Sequence, residues 1–256
     1  MGREMTPKKR ILILGGTGDA TALAAQAAMI PGVKIITSLA GRTRQPVLSS
    51  ENTRIGGFGG VAGLTNYLQE QQIDVLIDAT HPFAAQISFH GATAADNCNI
   101  PRLILTRPVW EPVSGDNWLE VESHEAAVTL LPSIAQRIFL TIGRQELATF
   151  SPLQHLWFLM RMIDPPQPNT PRPPGKLLLE RGPFSLEDER ALLQQYQIQA
   201  IVSKNSGGQA TYAKIIAARE LKIPVVMIQR PPIPPGEKVT DVESALIWLK
   251  NAVEAS

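Results

Sequence analysis

The sequence predicts an α/β protein of two Rossmann-like lobes, built on mainly parallel sheets with a cleft between them. Three observations carry that expectation. Apolar runs of strand length alternate with helical stretches, the pattern of βαβ units with right-handed crossovers. Arg10-Ile11-Leu12-Ile13-Leu14 runs into Gly15-Gly16-Thr17-Gly18 and then into an alanine-rich helical stretch. Residues 94–108 and 217–231 share one grammar of helix end, Ile-Pro, buried strand and Arg-Pro stop, so the chain echoes itself.

The elements follow in order. The opening strand and turn place backbone N–H groups at a helix N-terminus, where they can hold a phosphate. Read as G-x-G-x-x-G from Gly16, the third glycine is replaced by Thr21, and a strand-to-helix turn also uses glycines for geometry alone. The second strand covers residues 33–40. An NAD site places an acid about twenty residues past the glycines, on the ribose 2′-hydroxyl, and none stands here. Ser38 is instead followed by Gly41-Arg42-Thr43-Arg44. A guanidinium with two hydroxyls suits a 2′-phosphate, which favours NADP(H) over NAD(H); the alternative is a solvated loop.

Gly56-Gly57-Phe58-Gly59-Gly60 comes next, then a strand at 75–79 that ends in Thr80-His81-Pro82. A helix carrying Cys98 and a strand ending at Thr106-Arg107-Pro108 complete the first series. An amphipathic helix at 122–131 precedes the echo of the opening, a strand at 138–142 followed by Gly143-Arg144-Gln145-Glu146-Leu147. Residues 164–175 hold too many prolines for a helix or central strand and form a stiff, partly extended loop. Glu180-Arg181-Gly182-Pro183-Phe184 follows, then a strand at 200–202 that leads into Ser203-Lys204-Asn205-Ser206-Gly207-Gly208. Tyr212 begins the next helix, and a last amphipathic helix covers 241–252. The repeat sets a boundary near 135, with an NADP(H)-binding lobe over 1–135 and a substrate-binding α/β lobe over 136–256.

Bulk properties narrow the function. Among 256 residues, 24 Lys and Arg stand against 23 Asp and Glu, so no net field marks a nucleic-acid or membrane partner. One cysteine excludes an intramolecular disulfide and a multi-cysteine metal site, and the four histidines lack metal-ligand spacing. No apolar run approaches the ~20 residues of a membrane span, and the polar start lacks a signal core, so the expected location is cytoplasmic.

Ligands of open α/β sheets bind outside the carboxyl ends of strands, and the polar clusters above follow strands. Arg107, Arg144, Arg181 and Lys204 all stand there, where they either line one cleft or form surface ion pairs. Gly15-Gly16-Thr17, Asp78-Ala79-Thr80-His81-Pro82-Phe83-Ala84 and Lys204-Asn205-Ser206-Gly207-Gly208 together resemble the precorrin-6A reductase family of cobalamin biosynthesis, known as CobK or CbiJ, over residues 11–248.

That resemblance implies an oxidoreductase acting on a CH–CH group with NADPH as cofactor. A hydride would go to one conjugated double bond of the precorrin-6A macrocycle, or its cobalt form, beside the direct ring A–ring D junction; a proton would complete the 6B product. On this basis Gly15, Gly16, Thr17, Gly18, Ser38, Gly41, Arg42, Thr43, Gly57 and Thr80 are expected at the cofactor. Arg107, Arg144, Arg181, Lys204, Ser206 and Gly207 are expected at the acetate and propionate arms of the tetrapyrrole. Lys204, Tyr212 and bulk water are the candidate proton donors, and His81 either contacts a ligand or shapes its turn. No metal site is expected. The alternatives are a non-catalytic NADP-sensing regulator and another NADP-dependent small-molecule reductase. The Tyr-x-x-x-Lys motif of short-chain reductases is absent, since Tyr212 and Lys214 are two apart.

Overall fold

The structure is a computed structural model and describes residues 9–40 and 52–254. In chain order the first elements are β1 (Lys9–Leu14), α1 (Gly18–Ala27), β2 (Val33–Leu39), β3 (Thr53–Ile55), α2 (Gly60–Glu70), β4 (Val75–Asp78), α3 (Ala85–Cys98) and β5 (Arg102–Leu105). Then come β6 (Trp118–Val121), α4 (His124–Leu130), β7 (Arg137–Thr141), β8 (Trp157–Met162), β9 (Gly175–Leu179), α5 (Leu186–Gln195), β10 (Ala200–Lys204), α6 (Ala213–Glu220) and β11 (Val225–Ile228). The chain ends with β12 (Glu237–Val239) and α7 (Val242–Glu254).

Among the described residues two sheets form, both wholly parallel. The first has the order β12-β5-β4-β1-β2-β3 and the second β6-β11-β10-β7-β8-β9. The α/β class and the parallel sheets are therefore as the sequence predicts. Central strands of such sheets are covered on both faces, so they read as continuous apolar runs. Ile11, Leu12, Ile13 and Leu14 are all 0–1% exposed. Ile11 and Ile13 face a core that includes Leu23, Ala245 and Leu249; Leu12 and Leu14 face Leu64, Leu68 and Ala94 on the other side. In the second sheet Phe139, Leu159 and Ile201 pack with Ile215 and Leu193.

The two sheet orders are the same order. Strands β1 to β5 occupy the places that β7 to β11 occupy in the second sheet, so the echo in the sequence is a true structural repeat. The sixth place is exchanged: β12 pairs with β5 and β6 with β11. The chain accordingly divides into one unit of residues up to Arg107 together with those from Pro232, and a second unit of Pro108–Pro231. This corrects the boundary near 135, which marks the sequence repeat and not the compact units. The reason is pairing. Residues 118–121 satisfy their backbone in the second sheet, and α7 buries Ala245 and Leu249 in the core of the first. The first crossing falls between Arg107 and Pro108, and the second between Pro231 and Pro232, one residue past Arg230-Pro231.

The proline-rich stretch joins the adjacent parallel strands β8 and β9 without a helix. Where β9 begins, Gly175 has φ +141°, and a Cβ there would lie 1.8 Å from the Phe158 carbonyl oxygen. Only glycine permits that approach of two backbones.

Candidate functional site

In the first unit the glycine turn follows β1. Gly15 N–H donates to the Ser38 carbonyl at 2.9 Å, which fixes the turn to the buried end of β2. Gly16 has φ +114°, and nothing lies within 4 Å of a Cβ built on it or on Gly18. Both glycines are exposed, so space above their backbone is open to a ligand. Thr17 caps α1. Its hydroxyl accepts from Ala20 N at 3.0 Å and donates to the Ala79 carbonyl at 2.9 Å. The side chain thus shapes the turn, and what Thr17 can offer a phosphate is its main chain.

The neighbouring turn follows β4. Asp78 is 2% exposed. Its Oδ1 accepts from both the backbone N–H and the hydroxyl of Thr80, at 3.1 and 2.7 Å. With its proton spent inward, Thr80 Oγ1 presents lone pairs. His81 Nδ1 accepts from Phe83 N–H at 3.2 Å, and the His81 carbonyl accepts from Ala84 N–H at 2.7 Å. His81 therefore shapes its turn. Gly57 is held by a residue outside the expected set. Arg54 donates to the Gly56 and Gly57 carbonyls, and its guanidinium lies 3.9 Å over the Phe58 ring. Arg107 also belongs here. Its Nε stands 3.6 Å from Oδ2 of Asp19, in the first turn of α1. The structure thus places Arg107 beside the glycine turn of the first unit. Gly41, Arg42, Thr43 and Arg44 lie outside the described residues.

In the second unit the Lys204–Gly208 turn is held from two sides. Trp110 N–H donates to Asn205 Oδ1 at 2.8 Å, Asn205 Nδ2 donates back to the Trp110 carbonyl at 2.9 Å, and Trp110 Nε1 donates to the Gly208 carbonyl at 2.8 Å. Arg230 donates to the carbonyls of Asn205, Ser206 and Pro108 at 2.8, 3.0 and 3.1 Å. Gly207 is buried with φ +68° and takes part only through its backbone, while Ser206 Oγ lies 3.4 Å from the Lys204 carbonyl. Lys204 Nζ is 3.6 Å from Glu146 Oε2. Arg144 Nη1 donates to the Pro165 carbonyl at 3.2 Å, and Arg181 is exposed between β9 and α5.

Tyr212 packs at 5.6 Å against Trp110, and its phenol oxygen accepts from Arg219 Nη2 at 3.0 Å. It is a packing and anchoring residue of the second core, the alternative already open from its helix position.

Behind this turn lies a buried charged cluster with no sequence signal. Arg161 Nη1 donates to Glu189 Oε1 at 2.5 Å, and its guanidinium lies 3.6 Å over Phe184. Lys214, 4% exposed, donates to the Thr211 carbonyl at 3.0 Å and lies 5.1 Å from the Trp110 ring. Burial, reinforced by the Arg161 charge, pulls its pKa down to about 7. Burial likewise lowers the pKa of His124, against the pull of Glu146. Among the described residues no group of three or more His, Cys, Asp or Glu is placed to hold a metal ion, and no helix is long and apolar enough to cross a membrane.

Two doubly wound parallel-sheet units, the first with an open glycine turn at a helix N-terminus, define an α/β protein of the doubly wound class. The family model described as precorrin-6x reductase CbiJ/CobK matches residues 10–250. The chain is 52% identical over 241 residues to a precorrin-6A reductase of Rhodococcus erythropolis, covering 94% of this chain and 97% of that one. It is 44% identical over 241 residues to a precorrin-6A reductase of Mycobacterium tuberculosis, with the same coverage of 94% and 97%. It is 30% identical over 255 residues to a cobalt-precorrin-6A reductase of Priestia megaterium, covering 94% and 98%. The solved structure of a CobK precorrin-6A reductase superposes with a TM-score of 0.88 at 40% identity, covering 95% of this chain and 97% of that one. The chain belongs to the precorrin-6x reductase CbiJ/CobK family, as the resemblance implied.

Proposed function

We propose that this chain uses NADPH to reduce one double bond of the precorrin-6A macrocycle, giving the 6B form in cobalamin biosynthesis. The observation that carries the reading is kinship to a precorrin-6A reductase over 94% of this chain together with an open glycine turn where a dinucleotide diphosphate would lie. The residues fit such a cofactor: the backbone of Gly16 and Gly18 is uncovered, and Thr17 fixes the helix N-terminus beneath it. When bound, NADPH supplies the hydride.

The chain's own residues do the rest. Main-chain N–H groups at Gly16–Gly18 hold the diphosphate, and Arg107 offsets the charge of Asp19. Ser38, with Gly41, Arg42 and Thr43, serves the ribose end, and Thr80 accepts from the nicotinamide end. In the second unit Arg144, Arg181 and Lys204 hold carboxylate arms, and the Ser206–Gly207 backbone lines the macrocycle. Lys204 gives the proton: one carbon of the double bond gains the hydride, its neighbour gains the Nζ proton, and solvent recharges the amine.

The higher identity to relatives named for the cobalt-free substrate, 52% and 44% against 30% for one named for the cobalt form, supports precorrin-6A without cobalt. The test is the absorbance of precorrin-6A, with and without cobalt, after adding the protein and NADPH. Loss of the precorrin-6A spectrum with equimolar NADPH oxidation is expected for the cobalt-free form. No change with either form would overturn the reading.

A further inference from the structure

We infer that Glu146 is the positioning residue of Lys204, fixing the ammonium where it meets the substrate; this rests on the role proposed above for Lys204. The pair joins two independently fixed supports. Lys204 ends β10 and opens the turn pinned by Trp110 and Arg230. Glu146 caps a short 3-10 helix, Leu147–Phe150, whose Leu147 and Phe150 are both 0% exposed. Nζ and Oε2 are 3.6 Å apart, and the lysine side chain is only 14% exposed. The geometry differs from the helix-surface pair Arg190–Glu220, where both side chains are 39% exposed and solvent screens the attraction.

An ammonium that has lost most of its water needs a nearby anion to remain charged. The Glu146 carboxylate supplies that anion and restricts where Nζ can sit. Arg144, His124 and Glu125 are the other charged or titratable groups near this pair among the described residues. Arg144, two residues away, is directed at the Pro165 carbonyl. His124 opens α4 with its ring edge-on to Phe150 at 6.4 Å, and its buried Nε2 has no hydrogen-bond partner among the described residues. Burial favours the neutral imidazole, which does not compete for the Glu146 charge. Glu125, beside His124, is exposed.

The experiment measures single-turnover reduction of precorrin-6A at saturating NADPH in Glu146→Gln, Glu146→Asp, Lys204→Met and the Glu146→Gln/Lys204→Met pair. Glu146→Gln is expected to slow turnover at least tenfold with NADPH affinity unchanged, and Glu146→Asp to recover part of the loss. In the Lys204→Met background the added Glu146→Gln should change the rate less than twofold, because its effect passes through the lysine. Native NADPH affinity in every variant reports an intact first unit, and thermal unfolding reports the second. Native turnover in Glu146→Gln, or multiplying effects in the pair, would overturn the inference. If Lys204→Met itself turns over at the native rate, the role of the lysine fails and this inference with it. If the native protein does not reduce precorrin-6A, the functional reading is what has failed.

Discussion

Arg107 Nε stands 3.6 Å from Asp19 Oδ2, so a cation at the carboxyl end of β5 answers the one acid in the first turn of α1. A helix N-terminus attracts anions, and Asp19 already draws on that field. A dinucleotide diphosphate there would meet an uncompensated carboxylate if Arg107 were lost. Arg107→Ala is therefore expected to weaken NADPH binding about tenfold, or ~1.4 kcal/mol. Asp19→Asn added to the same chain should restore most of it. Calorimetric titration of both variants decides the matter. An Arg107→Ala loss that Asp19→Asn leaves unrelieved would mean that the arginine contacts the ligand directly.

Gly16 and Gly175 predict opposite effects. A side chain on Gly16 has room but must adopt φ +114°, at a cost of about 1–3 kcal/mol, and it would stand over the open turn. Gly16→Val should keep the fold, melt a few degrees lower and lose NADPH binding. Gly175→Ala drives its Cβ to 1.8 Å from the Phe158 carbonyl. It should destabilise the second unit by on the order of 3 kcal/mol or more, with NADPH affinity retained. Thermal melts paired with NADPH titrations read both. NADPH binding at native strength in folded Gly16→Val would move the diphosphate elsewhere.

The parts of this fold legible in the sequence are those whose signal is local. Ile11–Leu14 is buried on both faces, so its composition alone marks a central parallel strand. The edge strands β9, β12 and β3, reading GKLLL, EKV and TRI, hold their places by backbone pairing and carry little side-chain pattern. The exchange of sixth strands left no trace in residues 118–121 or 237–239, because which sheet receives them is decided by distant pairings. The site divides in the same way. Gly16, Thr17 and Lys204 lie in recognisable turns. Glu146, His124 and the Arg161–Glu189 pair act through partners remote in sequence, and no spacing rule connects them.

Lys214 makes stability depend on pH. Its folded pKa is about 7, against an ordinary 10.5, so between those values the unfolded chain binds more protons than the folded one. Stability from this group therefore rises with pH across that window, by at most about 1.4 kcal/mol per unit, and the penalty is complete below it. Lys214→Met should flatten that rise and gain more stability at pH 6 than at pH 9, with the Arg161–Glu189 pair left in place. Denaturant midpoints from pH 6 to 9 measure it. An unchanged slope in the variant would assign the dependence to other groups.

The arginines expected at the substrate now fall into two groups with separable outcomes. Arg107 is fixed to Asp19 in the first unit, so its loss should register in NADPH affinity. Arg181 is exposed, and its removal should leave both melting temperature and NADPH affinity unchanged. If it meets a carboxylate arm, Arg181→Ala should raise the KM for precorrin-6A about tenfold, or ~1.4 kcal/mol. That is just below the ~1.5–3 kcal/mol of hydrogen bonds to charged groups, because water screens an exposed guanidinium. Arg144 also donates to the Pro165 carbonyl and so helps hold the proline segment. Arg144→Ala should therefore raise KM and lower the melting temperature slightly. Arg144→Lys should keep part of the charge and lose the fork geometry, recovering less than half of the lost affinity. A contact equally strong in ground and transition states appears in KM with kcat unchanged, and that split distinguishes an arm-holding arginine from a group acting on the reacting carbons. Native KM in both Arg144→Ala and Arg181→Ala would remove these two residues from the substrate, leaving Lys204 as the second unit's cation at the macrocycle.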